Sequence, residues 1–164
     1  MADDVVPVTV PLDETLVRTG DWAVWLGEAS VTADGMAFTL TIQGRAEQVE
    51  VERMHPLHAP AGAGAPRFGV GFADGRKAVS GGFPAAMPTG DAATEIHLAP
   101  RSGSGGQRRW TQTYWLWPLP PEGPLTFAFE WTARAIAETT VTLDAAPLRA
   151  AAAGVVELWP DERP

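Results

Sequence analysis

The chain contains no cysteine, which excludes disulfides, thiolate metal sites, iron–sulfur clusters and a cysteine nucleophile together. That suits a reducing cytosol. Basic residues are scarce: 12 Lys and Arg stand against 20 Asp and Glu, for a formal charge of -8, and Lys77 is the only lysine. Such a chain repels phosphate backbones and anionic membrane surfaces at long range, so neither nucleic acid nor a membrane is an expected partner. No run approaches the roughly 18 apolar residues of a membrane span. The start, Met1-Ala2-Asp3-Asp4, is acidic and has neither the basic nor the apolar region of a secretory signal. With Met1 retained, the expectation is an unprocessed cytoplasmic product.

Chemistry-bearing motifs are equally thin. The serines are Ser30, Ser80, Ser102 and Ser104, and none sits in G-x-S-x-G, so the nucleophile elbow of serine hydrolases is missing. The glycine clusters match neither G-x-G-x-x-G before a helix nor a phosphate loop, since Lys77 follows Arg76 and not glycine. No cofactor is expected. His55-Pro56-Leu57-His58, with Glu52 and His97, could be offered as a divalent-metal set, but Pro56 keeps a helix from fixing the ring spacing. Surface histidines and no metal is the reading. The carboxylate pairs Asp13/Glu14, Glu50/Glu52, Asp91/Glu95 and Glu130/Glu138 are what any acidic surface presents. A non-enzymatic protein is therefore expected.

What the chain does have is turn-forming residues: 17 glycines and 15 prolines, about a fifth of its 164 residues and well above average usage. Between them lie short alternating runs. Val5 to Val10 reads as an edge strand around Pro7. Trp22 to Val31, Asp34-Gly35 and Met36 to Ile42 read as a hairpin, with Met36, Phe38, Leu40 and Ile42 recurring at period two. Glu47 to Met54 alternates, and Arg67 to Ala73 with Arg76 to Ser80 flank a second Asp74-Gly75 turn. Further strands are expected at Glu95 to Ala99, Gln107 to Trp117, Pro124 to Thr132, Thr139 to Leu143 and Val155 to Trp159. Ala145 to Ala153 is the one helix candidate. The pattern predicts a single all-β domain over 1–164. It is expected to be an antiparallel immunoglobulin-like β-sandwich with at most one short helix near the C-terminus, and flexible Gly/Pro-rich loops at 59–66, 81–94 and 101–106.

The aromatic stretch around Pro118 to Gly123 suggests a functional site. If that loop closes symmetrically, Trp117 opposes Pro124, and one face gathers Trp110, Gln112, Tyr114, Leu116, Leu125, Phe127, Phe129 and Trp131 as core. The other face then carries threonines, two spare indoles, Trp115 and Trp117, and Glu130 further along. Three readings are open. The indoles are covered by the helix or by the 81–94 loop, or they form a stacking platform for a sugar or apolar ligand, or they anchor a protein contact. Arg108-Arg109-Trp110 reads as a site for a local ion pair more than an RNA contact.

The stretch Arg109 to Phe127, RWTQTYWLWPLPPEGPLTF, is similar to a signature of uncharacterised actinobacterial β-rich proteins, an RRWxxxYWLWPLPPxGPLTF-type motif. The similarity extends to Phe72 to Lys77, Glu130-Trp131, Ile136, Glu138-Thr139 and Leu158 to Pro160. It implies a bacterial, soluble, β-rich protein and assigns no functional residue. The function expected is a protein-interaction or self-associating sandwich module, binding a protein partner or a second copy. The alternative is a small-ligand or carbohydrate-binding domain using Trp115, Trp117 and Glu130.

Overall fold

The structure is a computed structural model, and residues 4–46, 64–80 and 95–159 are described. Two antiparallel sheets pack face to face in a β-sandwich. The strands are β1 (Val5–Val6), β2 (Val8–Pro11), β3 (Thr15–Arg18), β4 (Trp22–Val31), β5 (Met36–Gly44), β6 (Arg67–Gly71), β7 (Lys77–Ser80), β8 (His97–Gly105), β9 (Arg109–Trp117), β10 (Pro124–Trp131), β11 (Ile136–Asp144) and β12 (Val156–Glu157). A helix, α1 (Ala146–Ala152), precedes β12. One sheet has six strands in the order β2-β4-β5-β9-β8, with β3 sharing the β4 edge with β2; the other has four, β11-β10-β6-β7. β1 and β12 form a separate two-stranded ribbon.

The first hairpin forms as its pattern demands. Val31 pairs with Met36, and Thr32 closes the turn by donating its N–H to the Gly35 carbonyl at 2.9 Å and its hydroxyl to Asp34 Oδ1 at 2.7 Å. Met36, Phe38, Leu40 and Ile42 all point into the core. The second hairpin joins β6 to β7 through Asp74-Gly75, where Gly75 adopts φ 89°, a left-handed conformation that favours glycine. Pro7 separates β1 from β2, and the chain changes partner there, from β12 to β4.

The core is stitched by aromatic rings from both sheets. Phe38 of β5 and Tyr114 of β9, direct cross-strand partners, have ring centroids 5.9 Å apart. Phe127 of β10 meets Phe38 edge-on at 5.3 Å, and Phe68 of β6 lies 5.2 Å from Tyr114. At one end Trp22 and Trp131 meet at 4.8 Å, with the Arg134 guanidinium over both rings and the Trp131 indole N–H donating to the Gly64 carbonyl. α1 buries Leu148 and Ala151 against β2 and β4.

Two expectations are corrected. β9 and β10 do not form a hairpin: β9 pairs with β5 and β8, β10 with β6 and β11. The segment 118–123 crosses between the sheets. Its prolines at 118, 120 and 121 cannot donate to a ladder, Leu119 is buried, and the Leu119 N–H is taken by the Asp34 carbonyl at 2.6 Å. All eight residues assigned to the core face are nevertheless buried, because two strands facing each other across a core show the same alternation as two strands side by side.

Second, 101–106 is not a flexible loop. β8 continues to Gly105, pairing Gly103 with Gln112 and Gly105 with Trp110. A Cβ at Gly103 would lie 2.9 Å from Gln112 Oε1, and one at Gly105 3.0 Å from Trp110 Cδ1, so the glycines make room for two large inward side chains of β9. The strand expected at Glu47 to Met54, the loop at 81–94 and most of the loop at 59–66 lie outside the described residues.

Two outcomes follow. Phe127→Ala, at a fully buried inter-sheet contact, is expected to cost about 3–5 kcal/mol in urea unfolding, and a cost below about 1 kcal/mol would contradict the packing described. Tyr114 is the sole tyrosine, and burial raises its phenol above the usual value, opposed in part by a hydrogen bond with Ser80. The folded state thus holds the neutral phenol more tightly than the unfolded chain. Its contribution to stability is complete below the unfolded pKa of about 10 and is lost as pH rises through the folded value. Phenolate absorbance should therefore appear together with alkaline unfolding; reversible ionisation near the usual value in folded protein would show the ring to be exposed.

Candidate functional site

The outer face of the six-stranded sheet holds the predicted indoles. Trp115 sits between Ala37 of β5 and Ala99 of β8, its direct cross-strand partners, whose small side chains leave room for the indole. Its ring edge rests on the first hairpin turn: a Cβ on Gly35 would come within 2.7 Å of Trp115 Cζ2 and 2.6 Å of the Leu116 carbonyl. Trp115 is only 7% exposed, so it is not a stacking platform. α1 does not cover it, since the helix packs on β2 and β4 at the far edge of the sheet, and the 81–94 loop lies outside the described residues.

Trp117 is half-buried. Its ring lies 5.5 Å from that of His97, its cross-strand partner on β8, and His97 Nε2 is 3.6 Å from the Glu95 carboxylate. Further along the same face, Trp25, Thr41, Thr111 and Ser104 form one row across four strands, with the Thr41 and Thr111 hydroxyls 3.1 Å apart. Arg109 lies over the Trp25 ring at 5.0 Å, a cation–π contact where an ion pair was expected.

Glu130 does not belong to this face. It is on β10 in the other sheet, paired across the strands with Arg67, whose guanidinium is 3.4 Å from its carboxylate. The expectation that it shares a face with Trp115 and Trp117 rested on the β9–β10 hairpin and falls with it. The carboxylate and the indoles are on opposite sides of the sandwich.

The metal set offered by the sequence falls mostly outside the described residues. His55, His58 and Glu52 lie outside the described residues, and among those described no group of three or more His, Asp or Glu could hold a metal ion. The close contacts of charged and imidazole groups there include Arg67–Glu130, Arg76–Asp74 and His97–Glu95. The first two join opposite charges at the surface, and Arg76 holds the Asp74 carboxyl below its usual range through a side-chain hydrogen bond. No helix among the described residues is long and apolar enough to cross a membrane.

The structure instead exposes an indole that sequence reasoning passed over. The β1–β12 ribbon pairs Val5 with Glu157 and Val6 with Val156, and Leu158 donates its N–H to the Asp4 carbonyl at 2.8 Å. Direct pairing puts Val6 and Val156 side by side on one face. Val6, Val156, Leu158 and Trp159 are all exposed, Trp159 at 74%. The signal was a tryptophan at the end of a short terminal run, just before Pro160, where no alternating partner could carry it into a core.

Compared with known proteins, the chain matches no family model, no curated protein and no solved structure.

The Gly35 contact is directly testable. Gly35→Ala forces the Trp115 indole or the β9 backbone to move, an overpacking expected to cost about 1–3 kcal/mol by chemical denaturation. A neutral substitution would show that Trp115 does not rest on the turn.

Proposed function

We propose that the protein is a non-enzymatic interaction module, an acidic immunoglobulin-like sandwich of the cytoplasm that associates with itself through the β1–β12 ribbon. The observation that carries this reading is where its exposed apolar side chains fall. Among the described residues the exposed large hydrophobics are Val6, Val79, Val156, Leu158 and Trp159, and four of these five sit on or beside one small ribbon. Scattered apolar residues are ordinary on a surface, whereas a cluster ending in an exposed tryptophan has the composition of an interface anchor. The ligand-binding alternative loses its support, because Trp115 is buried and Glu130 is on the opposite sheet.

Two bodies each carrying -8 repel, so an apolar contact between copies should strengthen as salt screens that repulsion. Light scattering is expected to give a concentration-dependent mass above the 17.4 kDa of one chain, rising with ionic strength. Trp159→Ala with Val156→Glu should return the mass to one chain without altering the far-ultraviolet spectrum. A strict monomer at every concentration and salt overturns the proposal.

A further inference from the structure

A pair of polar atoms inside the sandwich has no partner among the described residues, and the pair is chemically complementary to one kind of ligand. Trp110 and Gln112 lie two residues apart on the inward face of β9, 4% and 1% exposed. The indole N–H of Trp110 and Oε1 of Gln112 make no hydrogen bond among the described residues. The Gln112 amide cannot resolve this by turning over. Its Nε2 donates to the Ser102 carbonyl at 2.9 Å and the Thr113 carbonyl at 2.8 Å, two acceptors that Oε1 could not serve. Ser102 sits at the bulge in β8, where the register shifts between Pro100 and Ser102, so the amide is held there by the backbone it satisfies.

Each of the two side chains lies against its own glycine of β8, Gln112 against Gly103 and Trp110 against Gly105. The position a Cβ would take at Gly103 is 2.9 Å from Gln112 Oε1, and that at Gly105 is 3.0 Å from Trp110 Cδ1, the atom bonded to Nε1. On the opposite side the cross-strand partners are Ile42 for Trp110 and Leu40 for Gln112, which offer no side-chain hydrogen bond. A buried donor and a buried acceptor two residues apart on one strand face, with apolar neighbours and no charge, match a group that both accepts and donates, and a hydroxyl does both. An ion would find no counter-charge in this set.

We propose that Trp110 Nε1 and Gln112 Oε1 form an internal binding site for a hydroxyl group, which accepts from the indole N–H and donates to the amide oxygen. Its source is a long-lived water or the hydroxyl of a small polyol, and the test separates these. The Trp110 indole resonance is assigned in the isotopically labelled full chain, with the exposed Trp159 indole as internal control. A persistent nuclear Overhauser contact between the Trp110 indole proton and water, absent for Trp159, supports the site with water as its ligand. A saturable shift of the Trp110 resonance on adding glycerol, against a merely linear one for Trp159, supports it with a polyol as ligand. Absence of both effects overturns the proposal. Gly103→Ala, which puts a methyl group beside Oε1, is expected to abolish whichever effect is seen; should that variant fold with the effect intact, the site does not include Gln112.

Discussion

The contact on which the rest of the molecule depends is the meeting of Phe38 and Tyr114 from one sheet with Phe68 and Phe127 from the other. Neither sheet can bury its apolar face alone, and rings of this size bury large areas while interlocking in tilted and edge-on arrangements. Once these four rings are placed, β5 and β9 lie side by side and β6 and β10 lie over them. The outward faces of those strands are then committed as well, and with them the positions of Trp115, Trp117 and Glu130.

Packing of this kind explains why the site expected at Trp115 and Trp117 takes a different form. The large sheet turns its threonine and tryptophan face outward, yet Trp115 settles against Gly35 between two alanines, and Trp117 lies tilted against the His97 ring. These are contacts that hold the first turn and the crossover to β10 together. Leu119 completes the arrangement by donating its N–H to Asp34. Among the described residues, four of the five exposed large hydrophobics, all but Val79, lie on or beside the ribbon formed by the two ends of the described chain.

Gln112 illustrates a polar residue at a core position that is neither a mistake of pattern nor a surface group. The sequence alternation already places it inward, among aromatic and aliphatic neighbours. Its amide donates to the Ser102 carbonyl at the β8 bulge as well as to Thr113 of its own strand, and the first of these cannot be read from β9 alone because it depends on an irregularity in the adjacent strand. The same neighbour relation accounts for Gly103 and Gly105. In a linear reading they look like a linker; beside Gln112 and Trp110 they are the residues that let the strand approach.

Alternation and turn chemistry by themselves determined the all-β class, the two Asp-Gly hairpins, the short helix and the inward residues of β5, β9 and β10. These are local properties: side chains alternate with period two whatever the partner strand, and each Asp-Gly pair turns the chain within a few residues, Gly75 doing so in the left-handed conformation. Sheet membership is not local. A strand whose inward face is apolar satisfies that demand equally beside its neighbour in sequence or across the core from it, so β9 and β10 could be assigned faces but not sheets. Only the tertiary structure decided that Glu130 lies opposite Trp115 and Trp117, that Trp115 is buried, and that Trp159 is the indole left in water. Each of these depends on which strand is brought alongside, a choice made by packing between residues far apart in the chain.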